Sequence, residues 1–291
     1  MSAGAAVATS SPAKRRGWWE LVRSTGAVGI ASAVVIVVAI VIAIFGSAIA
    51  PHDPQIGRLS LSYVGPGGGH FLGFDGQGRD VVSRLLAGAR SSMIGPLAVV
   101  AICMTVGTIF AVSSAWKRGT YDAVVSSGMD VMFAFPGILL AILAATVFGA
   151  GLAAAALALA VAYTPYVARV LRGAALRERS QVYVDALSVQ GASSLSICMK
   201  HLIPNMAPLI VAQATILFGY AMVDLAAISF LGLGVQPPNP DWGVMVSENQ
   251  SGVVQGYPTA ALAAGICIVV VVVAFNVLGE RLYERAQAER R

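Results

Sequence analysis

The sequence is short of charge. Only 11% of its 291 residues are Asp, Glu, Lys or Arg, and 57% are hydrophobic, whereas a soluble domain carries roughly 25% charged residues. The length would allow a two-domain soluble enzyme, but this composition excludes one and points to a single bundle of membrane-spanning helices. Lysine is scarcer still: Lys14, Lys117 and Lys200 are the only three, and none follows a glycine. A phosphate loop needs Gly-Lys-Ser/Thr to cradle a nucleotide, so the chain has no such loop. Histidine is limited to His52, His70 and His201, with no HExxH pair and none inside an apolar run. That excludes a zinc hydrolase of that type and an intramembrane nucleophile–histidine hydrolase. Spacing alone permits one metal set, His52 and Asp53 with His70 and Asp75, but a turn-rich structural segment is the preferred reading and no metal is expected. Cys103, Cys198 and Cys267 form no CxxC pair, so neither a disulfide framework nor a zinc site is suggested. Basic residues flank apolar runs instead of alternating with aromatics, and no nucleic-acid partner is expected.

What is present is a series of six apolar runs. We read spans at Ala27–Ala50, Ala89–Ala115, Val124–Phe148, Leu152–Val170, Asn205–Leu231 and Thr259–Leu278, each near the twenty residues a bilayer requires. The first run is too long for the apolar core of a signal peptide and is expected to stay uncleaved. Proline inside the third run, at Phe135-Pro136-Gly137, should kink it, and Gly95 and Gly107 should let the second pack closely. The connecting segments 51–88 and 232–258 hold only Arg58, Arg79 and Arg84. With Arg90 that makes four basic residues on one side against fifteen on the other. The positive-inside rule then places both termini in the cytoplasm and the two segments outside the cell. The resulting organisation is a tail over 1–26, a first helix over 27–50, an external segment over 51–88, a five-helix core over 89–279 and a tail over 280–291.

The core is interrupted by a polar stretch at about 172–204, assigned to the cytoplasm. Val182 to Gln190 can form a short helix with Val182, Ala186 and Val189 on one face, and Gly191 can supply the left-handed residue that ends it. Ser193 can cap a second helix with an apolar stripe of Leu195, Cys198, Met199 and Leu202, which Pro204 should separate from the next span. Small Ala186 leaves a shallow surface that a groove on another protein could hold.

Asp185-Ala186-Leu187, Gly191-Ala192-Ser193 and His201-Leu202-Ile203-Pro204 resemble the EAA loop of ABC-importer permeases. The run from His70 to Asp80, with Gly73, Asp75, Gly78, Arg79 and Asp80 in register, is similar to the HPLGTD-x-x-GRD signature of the C-type subunit of dipeptide and oligopeptide permeases; Phe71 and Phe74 depart from it. Ser229 to Gly234, Asp241-Trp242-Gly243 and Ala274 to Gly279 extend the likeness over most of the chain. The resemblance implies an all-α, six-span permease of the type I importer class, for peptides or, in other members, nickel or another small solute. It implies a second homologous permease, two ATPase subunits or one fused ATPase that bind ATP and Mg, and an extracytoplasmic substrate-binding lipoprotein. No cofactor is expected in this chain. Asp185, Ala186, Leu187, Gly191, Ala192 and Ser193 would then couple to the ATPase. Asp75, Arg79, Asp80, Asp241 and Trp242 are assigned to contact with the external partner; for Asp75, Arg79 and Asp80 a local ion-pair and turn lattice is the alternative.

Asp224 sits inside the fifth run, where a carboxylate at mid-membrane costs about 2.5–3.5 kcal/mol on insertion scales and so requires an explanation. With Gln213 and Pro136 it is assigned to the substrate pathway, where it could gate or meet a peptide amine; a packing role with a local hydrogen bond is the alternative. An ion-driven carrier would also use such a residue, but no inverted repeat accompanies it.

Overall fold

The structure, a computed structural model, describes residues 26–288. Lys14, Arg15, Arg16, Trp18, Trp19 and Arg23 before them, and Arg290 and Arg291 after them, lie outside the described residues. Helices dominate, and no β-strand occurs among the described residues. Five helices are long and apolar enough to cross a membrane, and the count is six when one bent pair is taken as a single span.

Helix α1, Gly26–Ile49, lies at the periphery against α2 and α10 and leaves Val34, Val37, Ile44 and Phe45 exposed, as a lipid-facing helix does. Helix α2, Val81–Lys117, begins eight residues before the expected Ala89. The cause is a cap: the Asp80 carboxylate accepts hydrogen bonds from the Ser83 amide and hydroxyl at 2.8 and 2.6 Å, and the turns after it are buried around Val81 and Arg84. The expected close packing is present. A Cβ on Gly95 would stand 2.8 Å from Leu152, and one on Gly107 would stand 2.6 Å from Val167.

The third crossing departs most from expectation. Instead of one kinked helix, α3, Gly119–Phe133, and α4, Gly137–Phe148, meet at 78°. Pro136 has no amide to donate, and its fixed φ starts a new helix more readily than it continues an old one. Helix α5, Leu152–Arg179, runs beyond the expected Val170 because Leu171, Ala174 and Ala175 continue its buried stripe. Arg169 and Arg172 on its last turns pair with Asp130 and Asp122 of α3.

Helix α6, Val182–Val189, is followed by Gly191 at φ +82°, the left-handed conformation that turns the chain. Helix α7, Ser194–Phe230, then runs for 37 residues without the break expected at Pro204. A π turn over Cys198–Leu202 absorbs the proline, whose ring would otherwise clash with the carbonyl four residues back. The wider π turn shifts the helical register by one residue across this stretch. For the same reason the expected stripe splits, with Cys198 and Leu202 inward and Leu195 and Met199 outward. Two short helices, α8, Trp242–Glu248, and α9, Gln250–Val254, precede α10, Thr259–Ala288. Helices α2 and α5 form the most extensive pair in the core, and α7 with α10 forms the next. Segments 51–80 and 232–258 meet at one end of the bundle; α6 and the root of α7 mark the other.

Candidate functional site

At the end formed by 51–80 and 232–258, charged residues are interior. Asp75 accepts from Arg79 Nε at 2.7 Å and from the Gln77 and Arg79 amides at 2.9 Å. Glu248 Oε2 receives Arg79 at 2.6 Å and Arg84 at 2.8 Å, and Arg84 also reaches the Pro54 carbonyl at 3.3 Å. Asp75 and Arg84 are both 0% exposed. Additional hydrogen bonds offset part of the cost of burying these charges, although Arg84 Nε makes none among the described residues and stands 3.5 Å from Asp75 Oδ2. Gly78 enters this lattice at φ +69°, with a hypothetical Cβ 1.8 Å from the Arg58 carbonyl oxygen, so only glycine fits. Capping α8, the Asp241 carboxylate accepts from Ser92 at 2.7 Å and from the Gly243 and Val244 amides, while Trp242 Nε1 donates to the Leu85 carbonyl at 2.9 Å. Burial pushes the Asp241 carboxyl above its usual range despite those hydrogen bonds. Asp80 goes the other way: burial raises it, but the Ser83 and His70 hydrogen bonds win and hold it below 3.8.

The five residues considered for an external partner, Asp75, Arg79, Asp80, Asp241 and Trp242, are thus buried within the chain at 4% exposure or less. Their side chains are taken up by the chain's own segments: Asp75, Arg79 and Asp80 join the lattice considered for them, and Asp241 and Trp242 bond to Ser92 and the Leu85 carbonyl on α2. The metal set permitted by spacing is also redistributed. Asp53 accepts from the Gln55 amide and Asp75 binds arginine, while His52 and His70 stack at 4.1 Å beside Asp80. Ligand atoms of His52, His70 and Asp80 lie within 4.8 Å of one another. Stacked imidazoles direct their in-plane lone pairs side by side, not toward one point, and both Asp80 oxygens already accept hydrogen bonds.

At the opposite end the pattern reverses. Val182, Ala186 and Val189 share one exposed face of α6, with Val182 83% and Val189 89% exposed. Asp185, Gly191 and Ser193 are also exposed, whereas Leu187 and Ala192 are half-buried and pack toward the core. Ser193 caps α7 by accepting from the Ser196 amide. Behind this face, Glu178 at the end of α5 accepts from Tyr183 of α6 at 2.7 Å and from Asn205 of α7 at 2.8 Å; Asn205 Nδ2 also lies 3.1 Å from the Tyr183 hydroxyl. Burial first, and the Glu178 hydrogen bond next, push the Tyr183 phenol up to about 12. Arg179 lies over the Trp116 ring at 4.9 Å. One clamp therefore ties α6 to the two long helices beside it.

Between the ends, a cavity of about 500 Å³ opens where α3 and α4 part. Phe133, Phe135 and Pro136 of the break, Tyr163 and Tyr166 of α5, and Tyr220 and Asp224 of α7 line it. Tyr163 donates to Asp224 Oδ2 at 2.5 Å, and Gln213 touches the same wall through the Tyr166 hydroxyl at 3.4 Å. The three residues assigned to a pathway, Pro136, Gln213 and Asp224, are thus gathered on one side of the bundle, Gln213 indirectly. Leu225, next to Asp224, faces the core, against the space a Cβ on Gly95 would fill.

A family model described as "Binding-protein-dependent transport system inner membrane component" matches residues 104–288. The chain belongs to that family. The glutathione transport system permease protein GsiD of Escherichia coli O6:K15:H31 is 36% identical over 253 residues, covering 86% of this chain and 83% of the relative. GsiD of Pectobacterium atrosepticum is 34% identical over 259 residues, covering 88% and 85%. A chain of the MetNI methionine ABC transporter in an inward-facing conformation superposes with TM-score 0.57 at 21% identity, over 70% of this chain and 96% of that one. This last likeness concerns the fold alone.

The permease is a multi-pass inner-membrane subunit of an ABC importer, and its partners are ATPase and substrate-binding subunits. Hydrolysis of ATP resides in those partners. Sequence reasoning about the permease missed Glu248, Tyr220 and the Glu178–Asn205 clamp. Glu248 had a visible signal, being the only acidic residue between Trp242 and Gly279 in a chain that must balance Arg79 and Arg84. Tyr220 and Asp224, four residues apart, share a helix face, as do Tyr163 and Tyr166.

Proposed function

We propose that the permease forms half of the pathway of an ATP-driven importer of oligopeptides or dipeptides, the other half being a second homologous permease. The observation that carries the coupling role is the exposed apolar face of α6, backed by the Glu178–Tyr183–Asn205 clamp. Two ATPase subunits, or one fused ATPase, holding ATP and Mg, take this face in a groove. The contact runs through Asp185, Ala186 and Leu187 and through the Gly191-Ala192-Ser193 elbow. This places α6, both termini and the ATPases in the cytoplasm, and the buried lattice beneath an extracytoplasmic binding lipoprotein. The basic residues Lys117, Arg118, Arg169, Arg172, Arg177, Arg179 and Lys200 cluster at the α6 end, as the positive-inside rule requires. The peptide substrate is supported by relatives named for transport of glutathione, itself a tripeptide.

The test is reconstitution of the permease with its partner permease, ATPases and binding protein in proteoliposomes, followed by uptake of labelled trialanine. ATP-dependent accumulation is expected. Uptake that tracks an ion gradient and persists without the ATPases would instead establish a secondary carrier.

A further inference from the structure

The cavity at the α3–α4 break has a one-sided chemistry. Its lining carries one carboxylate, Asp224, and five aromatic rings, those of Phe133, Phe135, Tyr163, Tyr166 and Tyr220. No lysine or arginine is among its lining residues. Arg169, beside the cavity, stacks on Phe133 at 4.9 Å and is paired with Asp130. Asp224 is half-buried, and Tyr163 occupies only Oδ2; no hydrogen-bond donor to Oδ1 is present among the described residues. The carboxylate is therefore held in place by one hydroxyl with an accepting oxygen left over.

We propose that this cavity is a binding station for a protonated amine, which donates to the remaining oxygen of Asp224 while the rings of Tyr163, Tyr166 and Tyr220 present their negative faces to its charge. An ammonium in a desolvated site gains from both a charge-assisted hydrogen bond and cation–π attraction. An anionic group would lose water without gaining either, and an acylated one would keep an N–H donor but forfeit the positive charge and the cation–π attraction. Tyr163 positions the carboxylate, and Pro136, by forcing α3 and α4 apart, creates the room. In a peptide the amine is either the α-ammonium or a lysine side chain. The assignment rests on the peptide reading only for the identity of the ligand; the charge preference of the cavity stands without it.

Two measurements test the proposal separately. In the assembled complex, with Cys103, Cys198 and Cys267 replaced by alanine, Ala162→Cys places a thiol on the cavity wall. Its reaction with a trimethylammonium methanethiosulfonate should outpace that with a sulfonate methanethiosulfonate by about tenfold, relative to free thiol, and Asp224→Asn should bring the ratio near one. A ratio near one in the parent overturns the amine site and leaves the peptide importer untouched. The second measurement compares import of trialanine, N-acetyl-trialanine and N-acetyl-Ala-Lys-Ala, each normalised to occupancy of the binding protein. Asp224→Asn should cut trialanine import about tenfold with N-acetyl-trialanine within about twofold. Tyr220→Leu should act in the same direction, and Tyr163→Phe, which keeps the ring but removes the hydroxyl that positions the carboxylate, should weaken the preference without abolishing it. Asp224-dependent import of the lysine peptide marks the site as open to any ammonium; its absence restricts the site to the α-amine. Equal losses for trialanine and N-acetyl-trialanine overturn the proposal. Should no peptide be imported while the thiol ratio holds, the peptide reading fails and the amine site survives.

Discussion

At one end of the bundle, the buried Arg79 and Arg84 meet the carboxylates of Asp75 and Glu248; at the other, valines stand in solvent and a tyrosine–glutamate–asparagine clamp holds three helices together behind them. The first arrangement is closed, because Asp75, Arg79, Arg84 and Glu248 pair with one another inside the chain. The second is open, because Val182, Ala186 and Val189 lack the apolar partner their chemistry calls for. The contrast separates a region closed on itself from one whose exposed face is proposed above to receive the ATPase, and variants at the two ends should therefore fail in different ways.

The largest effect should come from opening the closed end. Glu248→Ala leaves Arg79 and Arg84 facing each other without their shared carboxylate, and stranding a buried charge costs about 3–5 kcal/mol. We expect a large fall in the amount of monodisperse protein recovered in detergent and in its unfolding temperature, read by size-exclusion chromatography and a thermal ramp. Near-normal stability would break the comparison outright.

Next in size, Ala186→Asp places a charge in the centre of the α6 face and Gly191→Val forces a branched residue into φ +82°. The first should leave stability within about 0.5 kcal/mol, as surface substitutions do, yet abolish co-purification of the ATPase. Wild-type capture of the ATPase by both variants would remove α6 from the interface.

A smaller, more selective loss is expected at the clamp. Tyr183→Phe removes one donor and one acceptor, worth about 1 kcal/mol on the usual scale for a hydrogen bond. The ATPase should still bind, but import per ATP hydrolysed should fall several-fold in proteoliposomes. An unchanged ratio would make the clamp a local brace instead of a transmission element.

The smallest effect concerns pH. Asp80 has a folded-state pKa below 3.8, so its contribution is complete above that value and is lost as pH falls through the depressed one. Asp241, raised by burial, works in reverse: its effect on stability is most favourable below 3.8 and declines as pH rises through the elevated value. Unfolding temperatures of Asp80→Asn and Asp241→Asn between pH 3 and 6 should diverge from wild type with opposite slopes.

Hydropathy made the spans legible, and local rules made the elbow legible: Gly191 turns the chain and Ser193 caps the helix after it, both without help from tertiary contacts. The features that escaped were decided by contacts distant in sequence. Arg84 reads as the polar flank of a span, yet its partner Glu248 lies 164 residues away and draws it into the interior. Pro204 reads as a boundary because its clash is local, whereas the π turn that relieves it is anchored by buried Ile197 and Leu202. Pro136 signalled a disturbance but not its angle. At the cavity, Asp224 was conspicuous as a charge in an apolar run, while its partner Tyr163 lies 61 residues earlier on another helix.

Helices α2 and α7 each have 37 residues, a length of about 55 Å against a hydrocarbon layer of about 30 Å. The scaffold is therefore taller than the oily layer it crosses, and its height is set by helix-on-helix packing, not by lipid. When acyl chains shorten or lengthen by a few ångströms, headgroups can slide along these two columns without tilting them. Helix α1, with 24 residues and little burial, has no such reserve, so a change in bilayer thickness should register first as a tilt of α1 while the core and its cavity keep their shape.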